Sequence, residues 1–150
     1  MTKQQLQEDL RKSMLAKDTE RTSVLRMALS AVNYYEIQKG GAGYEANAED
    51  VLFVIQKEVK MRRDAVEQFM TAGREDLVAK ETKEMAILEA YLPEQMSEED
   101  IRMLVKEAIL QTGAKTPQDM GKVMGFLMPK TKGKADGGLV SGIVKEQLAG

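Results

Sequence analysis

Apolar residues recur three or four positions apart through most of the chain, which is the spacing of amphipathic helices. The first such segment, 2–17, has one apolar side made of Leu6, Leu10, Met14 and Leu15. A second helix begins at a cap supplied by Asp18 or Thr19, and its seam consists of Leu25, Ala28, Leu29, Val32 and Tyr35. Three glycines then interrupt the pattern and predict a loop: Gly40, Gly41 and Gly43.

Two further helices are predicted after that loop. Asn47, with Asp50 three residues later, resembles a capping box and opens a helix that continues past Phe69 to Gly73. The seam of this third helix consists of Val51, Ile55, Val59, Val66 and Phe69. A fourth helix covers about 74–92, because Pro93 cannot continue it. Four helices joined by short loops predict an antiparallel bundle over residues 1–93.

The segment 97–150 predicts a separate domain of three helices. Ser97 and Asp100 repeat the capping pattern, and the fifth helix carries Ile101, Leu104, Val105, Ala108 and Ile109 before Gly113 ends it. Thr116 and Pro117 open a sixth helix, which we expect Pro129 to end. A seventh helix starts near Asp136. The predicted fold class is all-α, with an N-terminal four-helix bundle-like part followed by a C-terminal three-helix motif.

Composition restricts the chemistry that this chain can perform. The 150 residues include no cysteine and no histidine, so disulfides, thiolate metal sites, Ser-His and Cys-His catalysis are excluded. We predict no catalytic residue, no metal and no cofactor. The polar start is unlike a signal peptide and no apolar run is long enough to span a bilayer, so we expect a cytoplasmic protein without membrane contact. The oligomeric state is left open.

Several charged residues fall on faces that the apolar seams predict to be buried: Arg21 and Glu36 on the second helix, Arg62 on the third, and Glu81 and Glu84 on the fourth. A buried charge is costly unless it is paired. We therefore predict that Arg62 pairs with Glu81 or Glu84 and fixes the register of the helices. A carboxylate metal site on Glu81 and Glu84 is the alternative, although di-metal bundles also use histidine ligands.

The run from Asp119 to Gly138, DMGKVMGFLMPKTKGKADGG, contains three methionines, four lysines and five glycines. Its methionines recur every four residues beside Val123 and Leu127, and we assign this stripe to the core, with an adaptable binding surface as the alternative. The stripe consists of Met120, Met124 and Met128. Gly121 and Gly125 are four residues apart and predict the close approach of another helix.

The lysines of the same run are the candidate binding residues: Lys122, and then Lys130, Lys132 and Lys134 along a loop with Gly133. The loop leads into Asp136 and Gly137 at the start of the last helix, and a helix N-terminus beside lysines is a candidate anion site. A solvated loop is the alternative, because an Asp136 cap would occupy the same N–H groups and no aromatic residue is interleaved for stacking. A phosphate loop is rejected because Ala135 follows Lys134. With a net charge of −2, nucleic-acid binding would need such a local patch.

These residues carry a resemblance to the GatB/YqeY family. The segments YLPEQMSEEDI and DMGKVMGFLMPKTKGKADGGLVSGIVKEQL resemble the tail domain of the GatB subunit of tRNA-dependent amidotransferase. The preceding segments LRMALSAV, KEVKMRRDAVEQF and AGREDL resemble the stand-alone YqeY-type protein. Together the matches cover nearly the whole chain.

The resemblance implies an all-helical protein whose tail holds tRNA. On that basis Lys122, Lys130, Lys132 and Lys134 are candidate tRNA contacts, around Gly121, Gly125 and Gly133. The family label of a carbon–nitrogen ligase with glutamine as amido-N-donor comes with the tail, but the kinase-like body of GatB is absent. We expect a non-catalytic tRNA-binding or amidotransferase-associated module. The alternatives are a module docking on an aminoacyl-tRNA synthetase or amidotransferase, and a carboxylate- and metal-dependent enzyme.

Overall fold

The computed structural model describes all 150 residues, and all of the regular secondary structure is helical. A short 3₁₀ turn, Pro117–Asp119, precedes the sixth helix. The all-α prediction is confirmed. Seven α-helices follow one another: α1 (Lys3–Leu15), α2 (Thr19–Gly40), α3 (Ala48–Thr71), α4 (Glu75–Glu89), α5 (Glu98–Thr112), α6 (Met120–Thr131) and α7 (Gly137–Ala149).

The backbone divides into two compact units, Met1–Leu92 and Pro93–Gly150. In the first unit α1 packs along α2 and α3 packs along α4. Its core is aliphatic and includes Leu6, Leu25, Val32, Ile55 and Leu88. The second unit has its own core, to which all three helices contribute, with Ile101, Val105, Val123, Leu127 and Val144 among its members.

The helix starts expected from the sequence are present as hydrogen bonds. The side chain of Asn47 accepts from the N–H of Asp50 at 2.9 Å, and the Asp50 carboxylate accepts from the N–H of Asn47 at 3.1 Å. Ser97 and Asp100 make the same reciprocal pair at the start of α5. Asp18 caps α2 by accepting from the N–H of Arg21. These caps were predictable because their donors and acceptors are only three residues apart.

Two helix ends differ from the predictions. α4 ends at Glu89, and a turn through Tyr91 separates it from Pro93. α6 does not end at Pro129 but includes it in its last turn, ending at Thr131. The proline removes the helical donor for the carbonyl of Gly125, and solvent can satisfy that carbonyl because Gly125 is exposed.

The residues buried near the end of α1 also differ from those predicted. Met14 and Leu15 are exposed, and the neighbouring Ser13 is buried in their place. The Ser13 hydroxyl lies 2.9 Å from the hydroxyl of Thr22 on α2 and donates to the carbonyl of Leu10 at 2.8 Å. α1 therefore meets α2 through a polar contact at this end, because successive helical positions lie about 100° apart and only one can face the partner helix.

The methionine stripe of α6 is not a core stripe along its whole length. Val123 and Leu127 are fully buried, whereas Met120 and Met124 are half-buried and Met128 is 52% exposed. A spacing of four residues advances each position by about 40° around the helix, so the third methionine has rotated away from the core. The core assignment was wrong for Met128.

Candidate nucleic-acid interface

The solvent side of α6 carries two glycines where the sequence led us to expect a packed helix. Gly121 and Gly125 are exposed, and a Cβ added at either would meet no atom within 4 Å. The prediction of close helix approach was therefore wrong, because both glycines lie on the side of α6 opposite Val123 and Leu127. We call the exposed residues Gly121, Lys122, Gly125 and Pro129 the glycine face of α6.

Lys130 lies in the last turn of α6 and not in a loop. Its ammonium is 4.2 Å from the centre of the Phe126 ring, close enough for a cation–π interaction. Phe126 is half-buried against the core of the second unit. The spacing of four residues between Phe126 and Lys130 is the signal that could have predicted this contact from the sequence. The result is a lysine held against the Phe126 ring in the last turn of α6, next to Pro129 in the chain and exposed to solvent.

A tight turn carries the remaining lysines from α6 to α7. Gly133 adopts φ 77°, a left-handed conformation that favours glycine, and it is buried. The carbonyl of Thr131 accepts from the N–H groups of Lys134 at 2.9 Å and Ala135 at 3.0 Å. Lys132 and Lys134 are both exposed on this turn. Their backbone positions are therefore fixed while their side chains face solvent.

Hydrogen bonds from the first residues of the second unit hold this turn in place. The side-chain amide of Gln95 donates to the carbonyl of Gly133 at 2.9 Å and to that of Pro93 at 2.7 Å. The N–H of Met96 donates to the carbonyl of Lys134 at 2.9 Å. No periodic pattern in the sequence singles out Gln95, because the carbonyl of Gly133 that it binds is 38 residues away in the chain.

Asp119 and Asp136 differ in how their carboxylates bind backbone N–H groups. Asp119 accepts from the N–H groups of Lys115 and Thr116 at 2.9 and 3.2 Å, and these bonds chiefly lower the pKa of its carboxyl, with attraction to Lys122 contributing. Asp136 stands at the N-cap of α7, but its side chain makes no capping hydrogen bond. The first N–H groups of α7 are therefore not occupied by this carboxylate, contrary to the expectation for an aspartate cap.

The buried arginine of the first unit is paired with two carboxylates. Arg62 lies 3.5 Å from Glu84 through Nε and 3.1 Å from Glu58 through Nη1. A third contact reaches the sulfur of Met27 at 3.9 Å. Glu81 is half-buried and is not a partner of Arg62. Glu58 was missed by the sequence argument, although it is four residues before Arg62 on the same helix.

Arg21 and Glu36 join separate clusters in the first unit. Glu36 accepts from the N–H of Ala46 and the ammonium of Lys3, both at 2.8 Å, and these bonds lower the pKa of its carboxyl. Arg21 donates to the hydroxyl of Tyr91 at 3.2 Å. Both charged residues therefore have partners: Glu36 has a backbone N–H and a lysine, and Arg21 has a tyrosine.

The Tyr91 hydroxyl, in turn, donates to the carboxylate of Asp9 at 2.6 Å. Burial of the phenol, and then this carboxylate, raise the pKa of Tyr91 to about 12. Tyr91 therefore links α1, α2 and the segment after α4 through one neutral hydroxyl.

A fourth polar cluster, which the sequence argument did not single out as a charge site, surrounds Asp50. Its carboxylate accepts from Lys39 and Tyr44, each at 2.6 Å, and from Tyr35 at 3.2 Å. The bonds from Lys39 and then Tyr44 hold the pKa of Asp50 well below its usual range. The cluster connects the end of α2 to the start of α3, and through Tyr44 it also ties the loop between them to α3.

The geometry defines a class of protein: an all-helical chain of two small units, the second of which carries an exposed glycine face and several exposed lysines on and after α6. The family model described as Yqey-like protein matches residues 3–148. The chain belongs to that family, as the resemblance of its segments indicated.

Curated relatives are fungal proteins named "Altered inheritance of mitochondria protein 41, mitochondrial". The protein of Saccharomyces cerevisiae S288c is 36% identical over 107 residues, which cover 69% of this chain and 56% of the relative. The Kluyveromyces lactis protein is 40% identical over 87 residues, covering 57% and 45% respectively. The chain thus spans about half the length of these relatives. No helix here has the length and apolarity needed to cross a membrane. The cytoplasmic location expected from the sequence stays a prediction.

Proposed function

We propose that the second unit, Pro93–Gly150, is a non-catalytic tRNA-binding module that serves an amidotransferase or an aminoacyl-tRNA synthetase. The observation that carries this proposal is the glycine face of α6, where Gly121 and Gly125 leave the helix backbone open beside the exposed Lys122, with Lys130 and Lys134 exposed further along the chain. The family's resemblance to the GatB tail supports tRNA as the nucleic acid. The cytoplasm is the proposed location.

Phosphate recognition needs cations and room for the sugar–phosphate backbone to approach. Lys122 and Lys130 are eight residues apart on α6, about 12 Å along the helix axis, so they can neutralise different phosphates. Gly121 and Gly125 lie beside Lys122, and nothing occupies the space above them. Lys134 is exposed on the following turn, which Gln95 holds, and adds a third cation to the second unit. This combination favours contact with a backbone of phosphates over a single small anion.

The charge of the whole molecule limits the strength expected. A net charge of −2 provides no general attraction for RNA, so binding depends on the local lysines. If phosphate contacts dominate, the logarithm of the binding constant falls linearly with the logarithm of salt concentration, by roughly 0.7–0.9 per phosphate neutralised.

The test compares two triple variants of the full chain that remove equal charge. Lys122, Lys130 and Lys134 are replaced by alanine in one, and the exposed lysines Lys106, Lys115 and Lys145 in the other. Fluorescence anisotropy with labelled total tRNA is measured over a salt series. We expect the first variant to lose binding and to reduce the salt slope by roughly two to three, while the control keeps both values.

Equal losses in the two variants would mean that the attraction is general and would contradict a site on α6. Binding that depends neither on salt nor on the first set of lysines would contradict the phosphate mode itself. Circular dichroism of both variants checks that the helices are retained.

A second candidate function has one observation in its favour. A module that docks on a synthetase or amidotransferase requires exposed apolar residues near α6, and Met128 is 52% exposed there. Substitution of Met128 by Gln, which adds no charge beside Lys130, would then weaken capture of the purified partner enzyme but leave the binding of tRNA intact. The carboxylate-enzyme alternative required Glu81 and Glu84 in an open cleft, whereas Glu84 is buried beside Arg62.

A further inference from the structure

The helix α2 has an apolar side toward solvent that the proposed function does not use. Its inner side places Leu25, Leu29 and Val32 in the core of the first unit. The opposite side carries five uncharged residues, Ser23, Met27, Ser30, Tyr34 and Ile37, which we call the α2 outer face. Three of them are largely exposed: Met27 by 52%, Tyr34 by 65% and Ile37 by 63%. Met27 borders α3, since its sulfur also contacts Arg62 at 3.9 Å.

The spacing along the α2 outer face is that of a helix-packing surface. Its positions alternate four and three residues apart, as in the seam of a coiled coil. From Ser23 to Ile37 the face extends for about 21 Å of helix axis. Three of its five positions carry large apolar side chains, and an apolar stripe at helical spacing is typically covered by another element. The pattern therefore favours a second helix as the occupant of this face.

An open groove continues the α2 outer face toward the end of α1. It has a volume of about 660 Å³, and Met14 and Met27 provide its apolar floor. The charged residues that line it are Lys17 and Arg26, without any carboxylate. Arg11 is exposed three residues before Met14, on the same side of α1.

The charge of the groove indicates what kind of helix fits. The chain is acidic overall, with a net charge of −2, whereas both of the charged residues that line the groove are cations. Carboxylates of a partner lying along α2 would meet Arg26 on one edge of the α2 outer face. A nucleic acid could pair with the same cations but would leave Met14, Met27 and Ile37 exposed. An acidic, amphipathic protein segment satisfies both features.

We propose that the α2 outer face and its groove bind an acidic amphipathic helix of a partner protein. Apolar side chains of that helix, three or four residues apart, cover Met27, Tyr34 and Ile37, as in other helix-in-groove complexes. Its carboxylates face Lys17 and Arg26. This surface belongs to the first unit and is independent of the lysines of α6.

The first experiment uses two displayed libraries of helical peptides that share the same randomised apolar positions. The remaining positions carry mainly Glu in one library and mainly Lys in the other. Both are selected against the full chain. We expect the Glu library to enrich peptides with apolar residues at helical spacing, and the Lys library to enrich none. Enrichment from the Lys library, or from neither library, would overturn the proposal.

The second experiment titrates the most enriched acidic peptide by fluorescence anisotropy. Tyr34→Glu and Arg26→Glu each change an exposed side chain and should weaken binding at least about tenfold. Met70→Glu alters an exposed methionine on α3 and should leave binding unchanged. Thermal melting of the three variants checks that the first unit stays folded. Equal affinities for the wild type and the first two variants would show that the peptide binds elsewhere and refute the site.

Two other occupants are distinguished by the same variants. If the wild type sediments as a dimer and Tyr34→Glu converts it to a monomer, a second copy of the chain covers the face, and the proposal fails. It fails equally if tRNA displaces the peptide and Tyr34→Glu weakens the binding of tRNA. A monomeric wild type whose peptide complex is unaffected by tRNA supports the proposal.

Discussion

Replacing Arg62 by Met tests the buried charge cluster of the first unit. The guanidinium is the cation shared by Glu84 at 3.5 Å and Glu58 at 3.1 Å, and these carboxylate side chains are only 11% and 15% exposed. Methionine retains much of the volume but leaves both carboxylates without a cation. Because a buried pair that loses one partner leaves an uncompensated charge, the expected loss is about 3 kcal/mol, the lower end of the usual range.

The assay is urea denaturation of the full chain, followed by circular dichroism, together with thermal melting. For a unit of 92 residues, about 3 kcal/mol corresponds to a lowering of the melting temperature by about 12 °C or more. Arg63→Met is the matched control, because Arg63 is 47% exposed and its ion pair with Glu89 is a long 3.8 Å. We expect that control to lose less than about 1 kcal/mol.

A double variant separates charge from packing. Arg62→Met combined with Glu84→Leu removes the most buried carboxylate along with the cation, and apolar replacement of both partners of a buried pair is often neutral. We expect it to recover at least half of the stability lost by Arg62→Met. If Arg62→Met costs no more than Arg63→Met, or if the double variant recovers nothing, the cluster does not stabilise the unit as argued.

Two further substitutions test local geometry and titration. Gly133→Ala should destabilise the second unit by about 1 kcal/mol, because φ is 77° at that position. Gly121→Ala on the open side of α6 should stabilise it by about 0.5–1 kcal/mol. Urea denaturation measures both changes, and changes in stability of the same sign would contradict the prediction. The pKa of Tyr91 is raised to about 12 in the folded protein. The stability that its neutral hydroxyl contributes to the first unit is therefore present below about pH 10 and is lost as the pH rises toward 12. Tyr91→Phe should remove that alkaline loss relative to the exposed control Tyr34→Phe, and identical profiles would contradict it.

Much of the fold follows from short-range chemistry. The seams of α2 and α5 repeat at helical spacing, so their buried residues could be read along the chain. The caps at Asn47 and Ser97 depend on partners three residues away. The exposure of the lysines in the second unit was also predictable, because these residues do not fall on the apolar seam of a helix.

The candidate site was less predictable where it depends on rotation around a helix. Four-residue spacing made Met120, Met124 and Met128 look equivalent, but the third turns outward as α6 advances. The same rotation places Gly121 and Gly125 on the open side, where they create a bare surface and not a helix contact. The phase of a helix relative to its neighbours depends on all the side chains that pack against it, and no local pattern contains that information.

By itself, therefore, the sequence determined the helical class, the starts of the helices and the family. Only the tertiary structure decided that Arg62 takes Glu84 and Glu58 as partners rather than Glu81, and that Gln95 holds the turn of Gly133. The physical reason is range: helix periodicity and caps involve residues three or four positions apart, which any stretch of chain records. The ion pair of Arg62 with Glu84 and the hydrogen bond of Gln95 to Gly133 join residues that are distant in sequence and become neighbours only when the helices pack.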